Sequence, residues 1–334
     1  MERNWLKLII IFMKILVTGC AGFIGFHLTK KLLDLNHVVF GIDNLNKYYS
    51  PKLKNHRLKI LKKYKKFKFL KKNINEKSII NFYKNKKIKI IIHLAAQAGV
   101  RYSIKNPDAY LESNILGFFN ILKLSKIIKA KHLMIASTSS VYGDGKKFPL
   151  KEKDDTSHPV SLYSATKKSN EVISYSYSKN FQIPITCLRF FTVYGPYGRP
   201  DMSLFKFTKA ILNKRKIDLY NQGKHVRDFT YIDDVIEMVI KLLNKPSKHK
   251  IPFDIYNISN SKPIKLINYV KFLQKHLNMK INFRKLPLQT GDVYKTHGSN
   301  KKILKKIGKI KSVGINMGIK NFVNWYKKFY NYKK

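Results

Sequence analysis

The chain has 334 residues, with 67 lysines and arginines against 19 aspartates and glutamates, a formal net charge of +48. The 44% hydrophobic fraction suits a sizeable buried core, and Cys20 and Cys187, the only two cysteines, give no disulfide framework or metal cluster and fit a reducing cytoplasm. The lysines run along the whole chain, densest at Lys62-Lys63, Lys65-Lys66 and Lys71-Lys72, with no basic helix carrying interleaved aromatics. They read as solvated faces of a composition rich in Lys, Asn and Ile, so no specific nucleic-acid partner is expected.

In chain order, residues 6–12 are apolar but too short to span a bilayer, and no small-residue cleavage site follows them. Met13-Lys14 reads as a natural start, so 1–12 is taken as an N-terminal extension. No other stretch is long and apolar enough to cross a membrane. A strand over 14–17 leads into Thr18-Gly19-Cys20-Ala21-Gly22-Phe23-Ile24-Gly25, a helical pattern over 26–35 follows, and a β-rich run over 38–42 ends on Asp43. Strand, glycine turn, helix, strand and acid have the spacing of a dinucleotide-binding unit. Gly19 permits the tight turn, Gly22 the approach of a pyrophosphate, and Gly25 the packing of helix on strand. The helix N-terminus supplies free N–H groups and a positive dipole end. Asp43 is placed to accept from ribose hydroxyls and to repel a 2′-phosphate, which favours NAD over NADP.

A helix is predicted over 51–63, a strand over 67–70, a short helix over 77–85 and a buried parallel strand over 88–93. The small-residue turn Leu94-Ala95-Ala96-Gln97-Ala98-Gly99 can lie against a cofactor. A helix over 108–129, a strand over 132–136, a long helix over 160–180 and a strand over 184–190 complete the alternation. This predicts an α/β fold with a doubly wound parallel sheet. Residues 13–190 read as the nucleotide-binding domain. From 191 the pattern changes to turns and short elements, read as a smaller substrate-binding lobe over 191–334, with parts of 226–258 returning to the main sheet. No histidine or cysteine spacing indicates a metal site.

Tyr163 and Lys167, four residues apart inside the predicted helix, share one of its faces. A phenol is a poor base at neutral pH, and a nearby ammonium together with a positive nicotinamide ring would favour its phenolate. Tyr163 is therefore the candidate base for an alcohol proton. Ser137-Thr138-Ser139-Ser140 follows a strand at the carboxyl edge where such sheets bind ligands, and Thr138 is the candidate partner of the reacting hydroxyl.

The segments TGCAGFIG, GIDNLNKYYSPKLK, HLAAQAGVRYS, ASTSSVYG, HPVSLYSATKKSNE, LRFFTVYGPYGRPDM and GKHVRDFTYIDDV together resemble the extended short-chain dehydrogenase/reductases. More narrowly, they are similar to the nucleotide-sugar 4-epimerases that act on UDP-glucuronate. The resemblance implies NAD as cofactor, a UDP-uronate as substrate and a homodimer. It implies reversible C4 epimerisation through a 4-keto sugar, with Thr138, Tyr163 and Lys167 as the catalytic set, serving surface polysaccharide synthesis. It places Gly19, Gly22, Phe23, Ile24, Gly25, Asp43, Asn44, Asn73, Ile74, Leu94, Ala95, Ala96, Ser137, Tyr163 and Lys167 around NAD. Asparagine stands at 73 where the family usually has the aspartate that contacts adenine. Around the substrate it places Arg101, Asn114, Ser139, Ser140, Thr192, Arg199, Arg227 and Asp292. Either Arg101 or Arg199 can pair with a carboxylate or a diphosphate oxygen. Related decarboxylases and dehydratases carry acids where Ser139 and Ser140 stand, which favours simple epimerisation. A 4-epimerase of UDP-glucose or UDP-N-acetylhexosamine and a non-catalytic NAD- or nucleic-acid-binding protein are the alternatives.

Overall fold

The computed structural model describes residues 12–145, 147–288 and 293–332. The first half alternates strands and helices: β1 (Lys14–Thr18), α1 (Phe23–Asp34), β2 (Val38–Asp43), α2 (Pro51–Leu61), β3 (Phe67–Lys71), α3 (Ser78–Tyr83), β4 (Ile90–His93) and α4 (Val100–Lys105). The next helix begins as α5 (Asp108–Tyr110), widens into a π-helical turn over Leu111–Gly117 and continues as α6 (Phe118–Ile127). Then come β5 (His132–Thr138), α7 (Leu162–Phe181) and β6 (Ile185–Phe190).

The second half holds β7 (Thr192–Tyr194), α8 (Ser203–Leu212), β8 (Ile217–Leu219), β9 (Val226–Arg227), β10 (Phe229–Tyr231), α9 (Ile232–Leu242) and β11 (Phe253–Ile258). It ends with β12 (Ile264–Lys265), α10 (Leu266–Leu277), β13 (Phe283–Lys285), α11 (Lys301–Ile307) and α12 (Ile315–Phe329).

Seven parallel strands form the central sheet in the order β11-β6-β5-β4-β1-β2-β3. Successive residues of a strand point to opposite faces, so Ile15 and Val17 enter one core while Leu16 enters the other. Helices cover both faces, which explains the near-continuous Ile90-Ile91-Ile92 run of the central β4. The chain leaves β1 toward β2 and β3, then returns to β4 on the other side. That reversal opens a crevice at the carboxyl ends of β1 and β4, where Thr18 pairs with His93. The strand β11 joins the same sheet beside β6 from far along the sequence. The remaining strands form three small pairs, β7 with β10, β9 with β12 and β8 with β13, that stand with α8, α10 and α12 above the crevice.

One predicted boundary and one unpredicted helix differ from the sequence expectation for local reasons. The first helix starts at Phe23, not 26, because the extended Gly22 (φ −69°, ψ 176°) is already its N-cap. The helix α4 was not predicted, since its polar sequence carries no apolar stripe and it buries Ser103. Residues 1–11 of the expected extension lie outside the described residues. Among the described residues, no helix is long and apolar enough to cross a membrane.

Candidate active site

A cleft of about 880 Å³ runs over the carboxyl edge of the sheet and under the small C-terminal strands. Its floor is the glycine turn. Gly19 has φ +71°, and a Cβ there would lie 2.8 Å from the backbone N of Ala95. A Cβ on Gly25 would lie 2.0 Å from the carbonyl O of Gly19. Side chains are thus excluded where the loop turns and where α1 packs beneath it. No side chain caps α1, and Gly22, Phe23, Ile24 and Gly25 line the cleft, so the first-turn amides face it. This cradle fits a pyrophosphate.

Asp43 ends β2 at the wall of the cleft. Its Oδ2 accepts from the N–H of Ala21 (3.1 Å) and its Oδ1 from that of Leu45 (2.8 Å), which fixes the carboxylate and leaves lone pairs for a diol. Asn44, Asn73 and Ile74 follow along the wall, with Asn44 Nδ2 donating to Asn73 Oδ1. The oxygen that was expected to meet adenine therefore already has a protein partner. Leu94, Ala95 and Ala96 form the opposite wall. Thr18 Oγ1 accepts from the N–H groups of Leu94 and Ala95, so its own proton goes to Nδ1 of His93 (2.8 Å). Burial lowers His93 to about 3, and it is neutral. Neither Thr18 nor His93 stood out in the sequence, because each reads as an ordinary strand residue.

The helix α7 carries Tyr163 and Lys167 on the face toward the cleft and is started by a capping box between Ser161 and Ser164. Lys167 Nζ donates to the carbonyl O of Ala136 (2.9 Å), and burial pulls its pKa down to about 8. Burial also raises Tyr163 above its ordinary value, opposed by the positive charge of Arg199 and a hydrogen bond with Thr138. Thr138 Oγ1 also donates to Ser140 Oγ (3.2 Å) and accepts from Ser140 N (3.1 Å). One hydroxyl proton serves both directions, so donating to the phenol oxygen takes only a rotation about Cβ–Oγ1.

Thr138, Ser139, Ser140, Thr192, Arg101, Arg199 and Arg227 all line the cleft. Ser137 lies there too, but its hydroxyl donates to Glu171 (2.6 Å), which forms a buried bidentate ion pair with Arg189. Arg101 lies over the ring of Tyr220 at 5.2 Å. Arg227 donates to the carbonyls of Val293 (2.7 Å) and Tyr294 (2.9 Å). Asp292 lies outside the described residues.

Asn114, expected near the substrate, lies behind the lining of the cleft. It is 1% exposed, its Oδ1 accepts from the N–H of Gln97 and its Nδ2 donates to Gln97 O and Thr166 Oγ1. It stands in the π-helical turn and bonds to the 94–99 loop and to α7. It positions the wall of the cleft and is not itself among the residues that line it.

Three further residues escaped the sequence reading. Arg57, fully buried on α2, donates to Ala21 O (2.8 Å) and to the carbonyls of Tyr197 and Gly198. It thereby ties the glycine turn to the 195–200 turn. Tyr48 and Asp201 meet across the cleft (3.2 Å). All three act through tertiary contacts between distant segments, which no local pattern reports.

A glycine cradle, a ribose-side acid and a Tyr/Lys pair at one sheet edge define a nicotinamide-dinucleotide site of the short-chain dehydrogenase type. The sequence profile of the NAD dependent epimerase/dehydratase family matches residues 15–259, and the chain belongs to that family. It is 44% identical over 333 residues to protein CapI of Staphylococcus aureus, spanning 95% of this chain and 99% of that protein. It is 42% identical over 335 residues to a probable UDP-glucuronate 4-epimerase of Rhizobium meliloti, covering 95% of this chain and 98% of that one. The crystal structure of UDP-glucuronic acid 4-epimerase from Bacillus cereus with UDP-glucuronic acid and NAD superposes with a TM-score of 0.89 at 33% identity. That match covers 95% of this chain and 100% of that one.

Proposed function

We propose that the protein interconverts UDP-glucuronate and UDP-galacturonate by epimerising C4 through a 4-keto sugar. The observation that carries this reading is the sugar end of the cleft. It is lined by the hydroxyls of Thr138, Ser139, Ser140 and Thr192 and by the guanidinium of Arg199, with Tyr163 among them. Residues 137–140 contribute hydroxyls and no carboxylate, so they offer no acid or base for chemistry at C5. Arg199 is the cation for the uronate carboxyl.

Gly19, Gly22, Phe23, Ile24 and Gly25 hold the pyrophosphate of NAD in this reading, Asp43 its ribose, and Asn44, Asn73 and Ile74 its adenine side. Leu94, Ala95, Ala96, Ser137, Tyr163 and Lys167 lie along its nicotinamide half. NAD bound there supplies the oxidation at C4 and the return reduction. Tyr163 takes the C4 hydroxyl proton and later returns it, and Thr138 aligns that hydroxyl. Lys167, one turn along α7, binds the nicotinamide ribose and keeps Tyr163 in place. Residues 13–190, with β11, form the NAD-binding part, and the C-terminal lobe with Arg227 and Asp292 takes the UDP moiety. The product serves a surface polysaccharide, and the two buried free cysteines suit the cytoplasm.

A homodimer fits the outer faces of the 108–127 helix and α7, where Leu111, Leu116, Phe119, Val172 and Tyr175 are exposed. The test of function is incubation of the purified protein, without added NAD, with UDP-glucuronate, resolving the nucleotide sugars by chromatography and mass. An isobaric UDP-galacturonate peak supports the reading. Turnover of a neutral UDP-sugar instead, or loss of carbon dioxide from most of the product, refutes it.

A further inference from the structure

Arg199 is not a bare cation. Its Nε donates to Oδ1 of Asp201 (3.0 Å) and its Nη2 to Oδ2, a side-on fork with only Pro200 between the two residues in sequence. Asp201 Oδ2 accepts a third bond, from the hydroxyl of Tyr48 (3.2 Å). Tyr48 belongs to the loop between β2 and α2, on the other wall of the cleft. Its ring packs against Tyr102 (4.8 Å), and its hydroxyl lies 2.5 Å from where a Cβ on Gly99 would stand. All of Tyr48, Gly99, Tyr102, Arg199 and Asp201 line the cleft.

The consequence is directional. With Nε and Nη2 turned to Asp201, the guanidinium offers a ligand its Nη1 end, in the plane that the Asp201 carboxylate defines. The charge of Arg199 is also largely neutralised. Burial pushes Asp201 up, but Arg199 outweighs it and holds the acid below the ordinary carboxylate range. A site selected only for attraction to a uronate would leave out Asp201, so its presence points to aim.

We propose that Asp201, held across the cleft by Tyr48, is a positioning residue that fixes the direction of Arg199 and so the pose of the substrate carboxylate; this rests on the UDP-glucuronate reading above. The pose matters because oxidation at C4 makes a β-keto acid. If the C5–C6 bond aligns with the carbonyl π system, it breaks. Its electron pair passes into the C4 carbonyl, carbon dioxide leaves, and C5 takes a proton from the medium. A carboxylate gripped from one fixed direction holds the sugar in the pose that returns to the epimer.

The test compares wild type, Asp201→Asn and Tyr48→Phe with UDP-glucuronate, measuring kcat, KM and the share of product lacking carbon dioxide. Asp201→Asn removes a negative charge beside Arg199, so the KM is expected to stay equal or fall. The kcat is expected to drop roughly ten- to a hundredfold, the scale for misplacing a reacting group by about 1 Å. The decarboxylated share rises. Tyr48→Phe keeps the ring contacts and loses only the hydroxyl, so it moves the same quantities in the same direction by less. This serves if Asp201→Asn folds poorly. A rise in KM with unchanged kcat and product distribution overturns the proposal, because it would make Asp201 a mere binding support. Wild-type values in both variants overturn it as well. Failure of the wild type itself to convert UDP-glucuronate, with turnover of a neutral UDP-sugar, overturns the reading beneath it, and that outcome is visible before any variant is compared.

Discussion

Replacing Lys167 by methionine should stabilise the NAD-free protein at neutral pH while abolishing turnover. The Lys167 side chain is 2% exposed and its pKa falls from 10.5 to about 8 through burial. At 1.36 kcal/mol per unit, holding the ammonium in the fold costs about 3 kcal/mol. Methionine has similar volume and no charge, and the lost bond to Ala136 O returns about 1 kcal/mol of that. The net expectation is a gain of about 2 kcal/mol at pH 7. The sign reverses with pH. The folded pKa lies below the unfolded one, so between about pH 8 and 10.5 the unfolded chain binds more protons and wild-type stability rises relative to the variant. By pH 10.5 the wild type has recovered about 3 kcal/mol and is the more stable by about 1 kcal/mol. Urea unfolding of both proteins followed by circular dichroism at pH 7, 9 and 10.5 reads the difference directly. A variant less stable than wild type at pH 7, or an offset that does not move with pH, would show that Lys167 is not paying a desolvation cost and would refute the argument.

Gly25→Ala places a Cβ 2.0 Å from Gly19 O, so the glycine turn must open and the purified protein should carry far less NAD, read as the nucleotide released on denaturation. Asn114→Ala leaves the buried N–H of Gln97 without its partner, which costs about 1–3 kcal/mol of stability. It should also lower kcat through a loosened 94–99 loop while the affinity for UDP, measured by calorimetry, holds. Tyr163→Phe should cut turnover by about 10²–10⁴, the usual worth of a general base, with unchanged NAD content. In the NAD-free protein, the difference in ultraviolet titration between wild type and Tyr163→Phe should show a phenol that ionises above the ordinary tyrosine range. Val172→Asp with Leu116→Asp, both on exposed positions, should turn a dimer into a monomer by light scattering; a wild-type monomer would defeat that expectation.

The fold was legible because its signals are local. The strands β1, β2 and β4 carry β-branched runs and β3 an aromatic one, and the glycine turn before α1 announces a βα junction in eight residues. The strand β11 was foreseen only vaguely, since Phe253–Ile258 becomes a sheet member through pairing with β6, each residue with a partner 68 positions earlier in the chain. The site divides the same way. Tyr163 and Lys167 share a helix face, and helix geometry alone brings them together. The π-helical turn that carries Asn114 was not legible, because no local pattern marks it, and Gly117 at its end packs so closely on Ile74 that a Cβ would lie 2.6 Å from that side chain. Arg57, Tyr48 and Asp201 stand inside quoted motifs or beside them, yet their partners come from the far wall of the cleft.

Three cations around the cleft, the buried Arg57 and Lys167 and the partly exposed Arg199, share a pattern that bears on mechanism. Arg57 and Lys167 spend their hydrogen bonds mainly on backbone carbonyls, and Arg199 on Asp201. Arg57 thereby joins the turn that would hold the cofactor to the turn that carries Arg199, so the two halves of the cleft are set by one guanidinium. A 4-keto sugar that must turn over inside the cleft needs walls that do not move with it. Holding three cations in fixed bonds supplies such walls, and burial of one of them, Lys167, lowers its pKa. Rigidity around a mobile intermediate is the common demand behind the Asn114 clamp, the Arg57 bridge and the Tyr48–Asp201–Arg199 chain. A substitution at any of them should therefore degrade the fidelity of the reaction before it degrades the binding of UDP.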